Sequence, residues 1–165
     1  MAELTAAMGI TKPSLYAAFG NKEALFHKAL DLYEREKLAY MGTALQEPTA
    51  RLVADKLLRG ALQMQSGISD PKGCLAVIST VACGAESDSI KADVAARRES
   101  SRAAVVARFE QAKANGELPE NMTADALTNY LFAILQGMSV QASSGASCAE
   151  LGQLVDTSMT IWPTA

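Results

Sequence analysis

Histidine, aromatic residues and basic residues near the C-terminus are scarce in this chain of 165 residues. His27 is the single histidine, and the three cysteines follow no metal-binding or redox spacing. A zinc centre therefore lacks ligands, and a Cys-His or Ser-His catalytic pair lacks a nucleophile motif. The chain also has no phosphate-binding glycine loop. We expect neither an enzyme nor a metal or cofactor site, and we interpret His27 as a surface or partly packed residue.

Few features of the sequence indicate a membrane protein or a secreted protein. An odd number of cysteines and the lack of a signal peptide favour a reduced, cytoplasmic setting. No residue from Ala126 to Ala149 is charged, but amides and hydroxyls interrupt the run. A helix buried in protein is therefore a better interpretation than a membrane span.

The composition favours helices. Apolar residues make up 49% of the chain but aromatic residues only 5%, and most of the five prolines fall at predicted helix boundaries. The predicted fold class is all-α. The run from Cys74 to Cys83 contains β-branched residues, yet no partner strand is evident, and we interpret it as a short buried helix.

Residues 4–26, LTAAMGITKPSLYAAFGNKEALF, carry the strongest motif. Gly9 suits the end of one helix, Thr11 the cap of a second helix with Pro13 in its first turn, and Asn21 the cap of a third after Gly20. Short helices joined by a tight turn allow one helix to enter the DNA major groove. The sequence therefore predicts a helix-turn-helix.

The segment GITKPSLYAAFGNKEALF resembles the DNA-reading signature of the tetracycline-repressor (TetR) family of transcriptional regulators. The resemblance implies that Lys12, Pro13 and Ser14 face base edges, and that Thr11 and Tyr16 face phosphates. Lys22 is similar to the family's phosphate-binding lysine at a helix N-terminus. A lysine can donate to guanine, so Lys12 is the predicted specificity residue.

Family members begin with a further helix, for which MAELTAAMGI leaves no room. We therefore expect a truncated DNA-binding domain, with a loosely held reading head that binds DNA weakly. We predict a partial helix-turn-helix with its connecting helix over residues 1–43, and a ligand-binding and dimerisation domain over 44–165. The connecting helix is predicted to run from Lys22 to about Thr43.

Later helices are predicted from Pro48 to about Ser66, from a cap at Ser87 to about Asn115, from Thr123 to about Ser144, and after a cap at Ser147. The Thr123 helix is apolar on nearly every side, so one face is expected to meet a second subunit. The resemblance implies the same, because family members dimerise through their last two helices. The predicted homodimer interface comprises Ala133, Gly137, Leu151, Leu154, Val155 and Trp162.

Two further sites are less sharply defined by the sequence. A cavity for a small-molecule effector could be lined by Met64, Arg98, Ser101, Phe109, Tyr130, Phe132 and Met138, although these side chains could equally form the core. Cys74 follows Lys72-Gly73 at a predicted helix start, where a nearby positive charge and the helix dipole favour a reactive thiolate. It is a candidate sensor of electrophiles, or else, like Cys83 and Cys148, a small buried residue.

Together these features predict a TetR-like regulator, in the form of a dimeric repressor that leaves double-stranded operator DNA when an apolar effector binds. The alternative is a helical dimerisation or adaptor protein without DNA binding.

Overall fold

The computed structural model describes residues 1–65, 67, 71–82 and 88–163. Every regular element in these ranges is an α-helix, which confirms the predicted fold class. The helices are α1 (Ala2–Met8), α2 (Lys12–Phe19), α3 (Lys22–Lys37), α4 (Ala39–Ala44), α5 (Ala50–Met64), α6 (Leu75–Ala82), α7 (Asp88–Ala114), α8 (Ala124–Ser143) and α9 (Cys148–Thr160). The chain divides into two compact units, Met1–Glu36 and Lys37–Ala165.

Local capping chemistry sets the ends of the first helices. Gly9 ends α1 in the left-handed conformation, with φ 64°, which costs glycine no strain. The Thr11 hydroxyl accepts from the Ser14 amide at 3.3 Å and caps α2. The Asn21 side chain accepts from the Ala24 amide at 2.8 Å at the start of α3. The predicted junctions of the helix-turn-helix are confirmed.

The prediction of one continuous helix from Lys22 to Thr43 is wrong. α3 ends at Lys37, and Leu38, with φ −99° and ψ 3°, separates it from α4. The break accompanies close packing of the Tyr40 ring on Gly60 of α5, where a Cβ atom would lie 2.2 Å from a ring carbon. Because this contact is tertiary, no local sequence signal marks the break.

α5 lies at the centre of the second unit and packs against α4, α7, α8 and α9. A residue distant in the sequence helps to cap its N-terminus, since the Glu117 carboxylate accepts a hydrogen bond from the Ala50 amide at 2.7 Å. The Thr49 hydroxyl supplies the local cap. The buried core is completed by Val53, Leu57, Leu58, Val105, Phe109, Leu127, Leu131, Met138, Leu151 and Val155.

The last helices close this core. Thr123 caps α8 and Ser147 caps α9, as the sequence predicted. Ser147 and Glu150 also form a reciprocal capping box. Trp162, just after α9, is buried with its ring 6.0 Å from Phe109 and 6.4 Å from Tyr130. The predicted cap at Ser87 lies outside the described residues.

Within the described ranges, no helix is both long and apolar enough to span a bilayer. The same ranges contain no group of His, Cys, Asp and Glu side chains that could hold a metal ion.

Candidate nucleic-acid interface

α2 presents its first turn to solvent and buries its centre. Leu15 is fully buried within the first unit, whereas Thr11, Lys12, Pro13 and Ser14 are exposed. A single buried leucine fixes the rotation of so short a helix, and this rotation leaves the polar first turn free. The structure thus places together on one surface the residues that the resemblance assigns to base reading.

Lys12 and Tyr16 form a pair one turn apart. The Lys12 ammonium lies 5.8 Å from the centre of the Tyr16 ring, within the range of a cation–π contact. Tyr16 is half-buried, so its ring has less freedom to move than the solvent-exposed side chain of Lys12. The contact restricts Lys12 and keeps its charge over the exposed face of α2.

Lys22 occupies the first position of α3, beside the Asn21 cap. The unpaired amides of a helix N-terminus and an adjacent ammonium both favour an anion such as a phosphate. Sequence reasoning did not select Lys28 as a site residue, yet its ammonium lies 5.4 Å from the centre of the Phe19 ring. This contact joins α3 to the end of α2, and helical spacing alone gives no signal for it.

His27 pairs with Glu23 one turn earlier, with 3.7 Å between Nε2 and the carboxylate oxygen. It is a partly packed residue, as the sequence suggested.

The predicted effector residues have different surroundings in the described part of the chain. Phe109 and Met138 are fully buried in the core, and Tyr130 is partly exposed beside Trp162. Arg98 and Phe132 do line a common cleft of about 350 Å³ between α7 and α8. Met64 and Ser101 are half-buried outside the lining of this cleft.

The predicted interface residues fall into two groups. Leu151, Val155 and Trp162 belong to the core of the second unit, so they have almost no surface left for a partner. The apolar stripe of α9 faces inward because α5 covers it. Ala133 is exposed, and Gly137 and Leu154 are half-exposed.

Sequence reasoning missed three exposed apolar side chains, two on α8 and one at the end of α9. Val140 is 51% exposed and Ile161 64% exposed, and Tyr130 was assigned to a pocket rather than to a surface. At about 100° per residue, Tyr130, Ala133, Gly137 and Val140 follow one side of α8. Helical spacing could have revealed this stripe.

Cys74 immediately precedes α6 and is half-buried. Its amide donates to the Ser139 hydroxyl at 2.6 Å, which holds this turn against α8. The Lys72 ammonium donates to the carbonyls of Gln65 and Gly67, both at 2.6 Å. Burial raises the pKa of the Tyr40 phenol, and the charge of Cys74 raises it further. Cys148 is exposed, and Cys83 lies outside the described residues.

Two family descriptions match the chain. Residues 1–29 match "Bacterial regulatory proteins, tetR family", and residues 48–151 match "Tetracyclin repressor-like, C-terminal domain". The HTH-type transcriptional repressor ComR of Escherichia coli (strain K12) is 28% identical over 99% of this chain and 79% of its own length.

Solved structures of TetR-family regulators are also similar to this chain. One is a cysteine mutant of the TetR family transcriptional regulator CifR complexed with 26-base-pair double-strand operator DNA. It has a TM-score of 0.90 and 33% identity, over 99% of this chain and 86% of its own. A protein from Rhodococcus sp. RHA1, described as a TetR transcriptional regulator, has a TM-score of 0.72 and 36% identity, over 99% of this chain and 88% of its own. The helix-turn-helix geometry, the family matches and these relatives lead to one conclusion: the chain belongs to the TetR family of transcriptional regulators.

Proposed function

We propose that this protein is a cytoplasmic repressor that binds double-stranded operator DNA as a homodimer and is released by a small, largely apolar effector. The observation that carries the proposal is the exposed first turn of α2, held by buried Leu15 and capped by Thr11. In this proposal Lys12, Pro13 and Ser14 read base edges, while Thr11, Tyr16 and Lys22 bind phosphates. A relative complexed with operator DNA supports the assignment.

The homodimer is proposed to form through one face of α8 and the end of α9. Tyr130, Ala133, Gly137 and Val140 supply the α8 face, and Leu154 and Ile161 supply the α9 part. At Gly137 nothing lies within 4 Å of the position of a Cβ atom, so a partner backbone has room to approach closely. A twofold pair of this kind carries two reading heads for two half-sites.

Release is proposed to be a shift between two populations of the dimer. An effector that binds one state more tightly moves the equilibrium by its difference in affinity for the two states. The favoured state would hold the two reading heads out of step with successive major grooves.

Replacing Lys22 by alanine is expected to weaken operator binding similarly on all sequences, because a phosphate contact carries no base information. Losing one phosphate contact should reduce the log–log salt slope by about 1. Lys12→Ala should instead reduce discrimination between operator variants, by about 1–3 kcal/mol at the base it reads. Binding isotherms across a salt series, on the operator and on single-base variants, separate the two effects.

Lys91→Ala provides a matched control, since Lys91 pairs with Asp88 in the second unit. It should leave both the salt slope and the discrimination unchanged. Failure of the parent protein to bind any DNA in a salt-dependent manner would favour the adaptor function over the repressor.

Cys74 is proposed to sense electrophiles, and its place beside Ser139 and near the partly buried Tyr40 supports this role. A group added to its sulfur would change the surroundings of Tyr40 in α4, the helix that follows the connecting helix α3 in the sequence. We expect Cys74 to be alkylated faster than Cys148, although Cys148 is the more exposed. Cys83 should also react more slowly. Mass spectrometry of a timed labelling series measures the rates.

Cys74→Ser should abolish any release of DNA by electrophiles, while Cys148→Ser should not. Alkylation in the order of exposure, with Cys148 ahead of Cys74, would return Cys74 to a packing role.

A further inference from the structure

The cleft between α7 and α8 contains an arginine that has no partner among the described residues. Ala95, Arg98, Glu99 and Arg102 line it from α7, and Asn129, Phe132, Ala133 and Gln136 line it from α8. In the part of the chain that the structure describes, no acceptor pairs with the Arg98 guanidinium, although its neighbours Arg97 and Arg102 both have ion-pair partners. Arg98 is half-buried, so this free charge is partly enclosed.

The other charges of the cleft are already paired with each other. Arg102 binds the Asp125 carboxylate at 2.5 Å and contacts Glu99 at 3.4 Å. The Glu99 carboxylate is therefore partly neutralised by Arg102, and its repulsion of a bound anion is reduced. Of the two arginines that line the cleft, Arg98 is the one without an ion pair to a described residue.

The amide of Asn129 adds a second donor. Its Oδ1 atom accepts from Arg102 Nε at 3.1 Å, and this bond fixes the orientation of the side chain. This bond leaves the Nδ2 group as the donor of the amide, and Asn129 lines the cleft together with Gln136. Phe132 and the methyl groups of Ala95 and Ala133 supply an apolar wall.

We propose that this cleft binds a small carboxylate with an apolar body, its carboxylate on Arg98 and its body against Phe132. Arg98 offers the planar, two-pronged donor geometry that matches a carboxylate. The cleft volume of about 350 Å³ limits the ligand to a compact molecule. The inference rests on the proposed effector control and adds one anionic group to the effector.

The cleft lies next to the surface proposed for dimerisation, so a ligand bound there could affect the pairing of the subunits. Ala133 belongs both to the cleft and to the α8 face proposed for dimerisation. A ligand bound here would lie at the edge of that interface, where a small displacement of α8 changes the subunit pairing.

Calorimetric titration of the intact protein with benzoate and with neutral benzamide tests the proposal. Benzoate should bind and benzamide should bind much more weakly, because a charge-assisted pair contributes more than a neutral hydrogen bond. Arg98→Gln should reduce benzoate affinity by about ten- to a hundredfold. Arg98→Lys should retain part of it, since the charge stays but the planar fork is lost.

Arg51→Gln is the matched control, because it removes the same charge from an exposed position on α5, outside the cleft. It should bind benzoate like the parent. Equal benzoate binding by the Arg98→Gln and Arg51→Gln variants, equal binding of benzamide and benzoate, or no binding of benzoate at millimolar concentration would overturn the proposal.

Operator binding is measured separately, so that the two proposals fail in different ways. If benzoate does not bind through Arg98 but the protein binds operator DNA, the cleft assignment is wrong and the proposed DNA binding stands. If benzoate binds through Arg98 and operator affinity does not change, the cleft assignment stands and its role in effector control is wrong.

Discussion

A Val140→Arg variant is expected to be monomeric and to lose about a hundredfold or more in operator affinity. Val140 is 51% exposed on the α8 face proposed for dimerisation, where the arginine would be buried against the partner subunit. A buried unpaired charge opposes association, and separate heads lose the gain of about 10²–10⁴ that linked binding sites provide. Sedimentation or light scattering gives the mass, and isotherms on two half-sites give the affinity.

Leu52→Arg provides the control for an added charge. Leu52 is 44% exposed, on α5 rather than α8, so its variant should stay dimeric and bind DNA like the parent. Gly137→Leu should weaken assembly as Val140→Arg does, by filling the space that the partner backbone requires. A monomeric parent, or a Val140→Arg dimer with unchanged mass, would show that the subunits do not pair through this face.

Gly60→Ala is expected to destabilise the second unit, although alanine normally strengthens a helix. Helix propensity alone would raise the free energy of unfolding by about 1 kcal/mol. The new Cβ atom would lie 2.2–2.8 Å from three carbons of the Tyr40 ring. One of these is Cγ, which is bonded to the Tyr40 Cβ and cannot move far without the backbone. Overpacking of this kind costs about 1–3 kcal/mol or more, so we expect a net loss and a lower denaturant midpoint.

A double mutant identifies the cause. Tyr40→Leu removes the ring, so adding Gly60→Ala in that background should no longer destabilise the protein. Gly152→Ala in α9 is the control for propensity, because its Cβ would meet only Leu62 at an ordinary 3.8 Å. A Gly60→Ala variant as stable as Gly152→Ala would mean that Tyr40 moves aside freely.

The sequence predicts helix ends well where capping is a local matter. Thr11, Asn21, Thr123 and Ser147 each accept from an amide three residues later, so the chemistry that ends a helix is written in adjacent residues. The exposed first turn of α2 was predictable for the same reason, since it depends on caps, a glycine and one buried leucine.

Tertiary contacts could not be predicted from local sequence patterns. The break at Leu38 accompanies the packing of Tyr40 on Gly60, twenty residues along the chain, and no pattern around Leu38 signals it. The stripe of α9 was correctly recognised as apolar, but periodicity does not tell whether a residue such as Leu151 is covered by α5 or by a second subunit. Likewise, Arg98 and Phe132 share a cleft because α7 and α8 pack together.

Trp162 is the only tryptophan of the chain, and its surroundings make it an internal optical probe. Its indole ring is buried beside Phe109, and among the described residues its N–H has no hydrogen-bond partner, so its emission should be that of a dry environment. Tyr130 lies 6.4 Å away, close enough for efficient energy transfer to the indole. Because Tyr130 also lies on the exposed face of α8, the unlabelled protein carries a fluorescent reporter at the edge of the surface through which its subunits are proposed to meet.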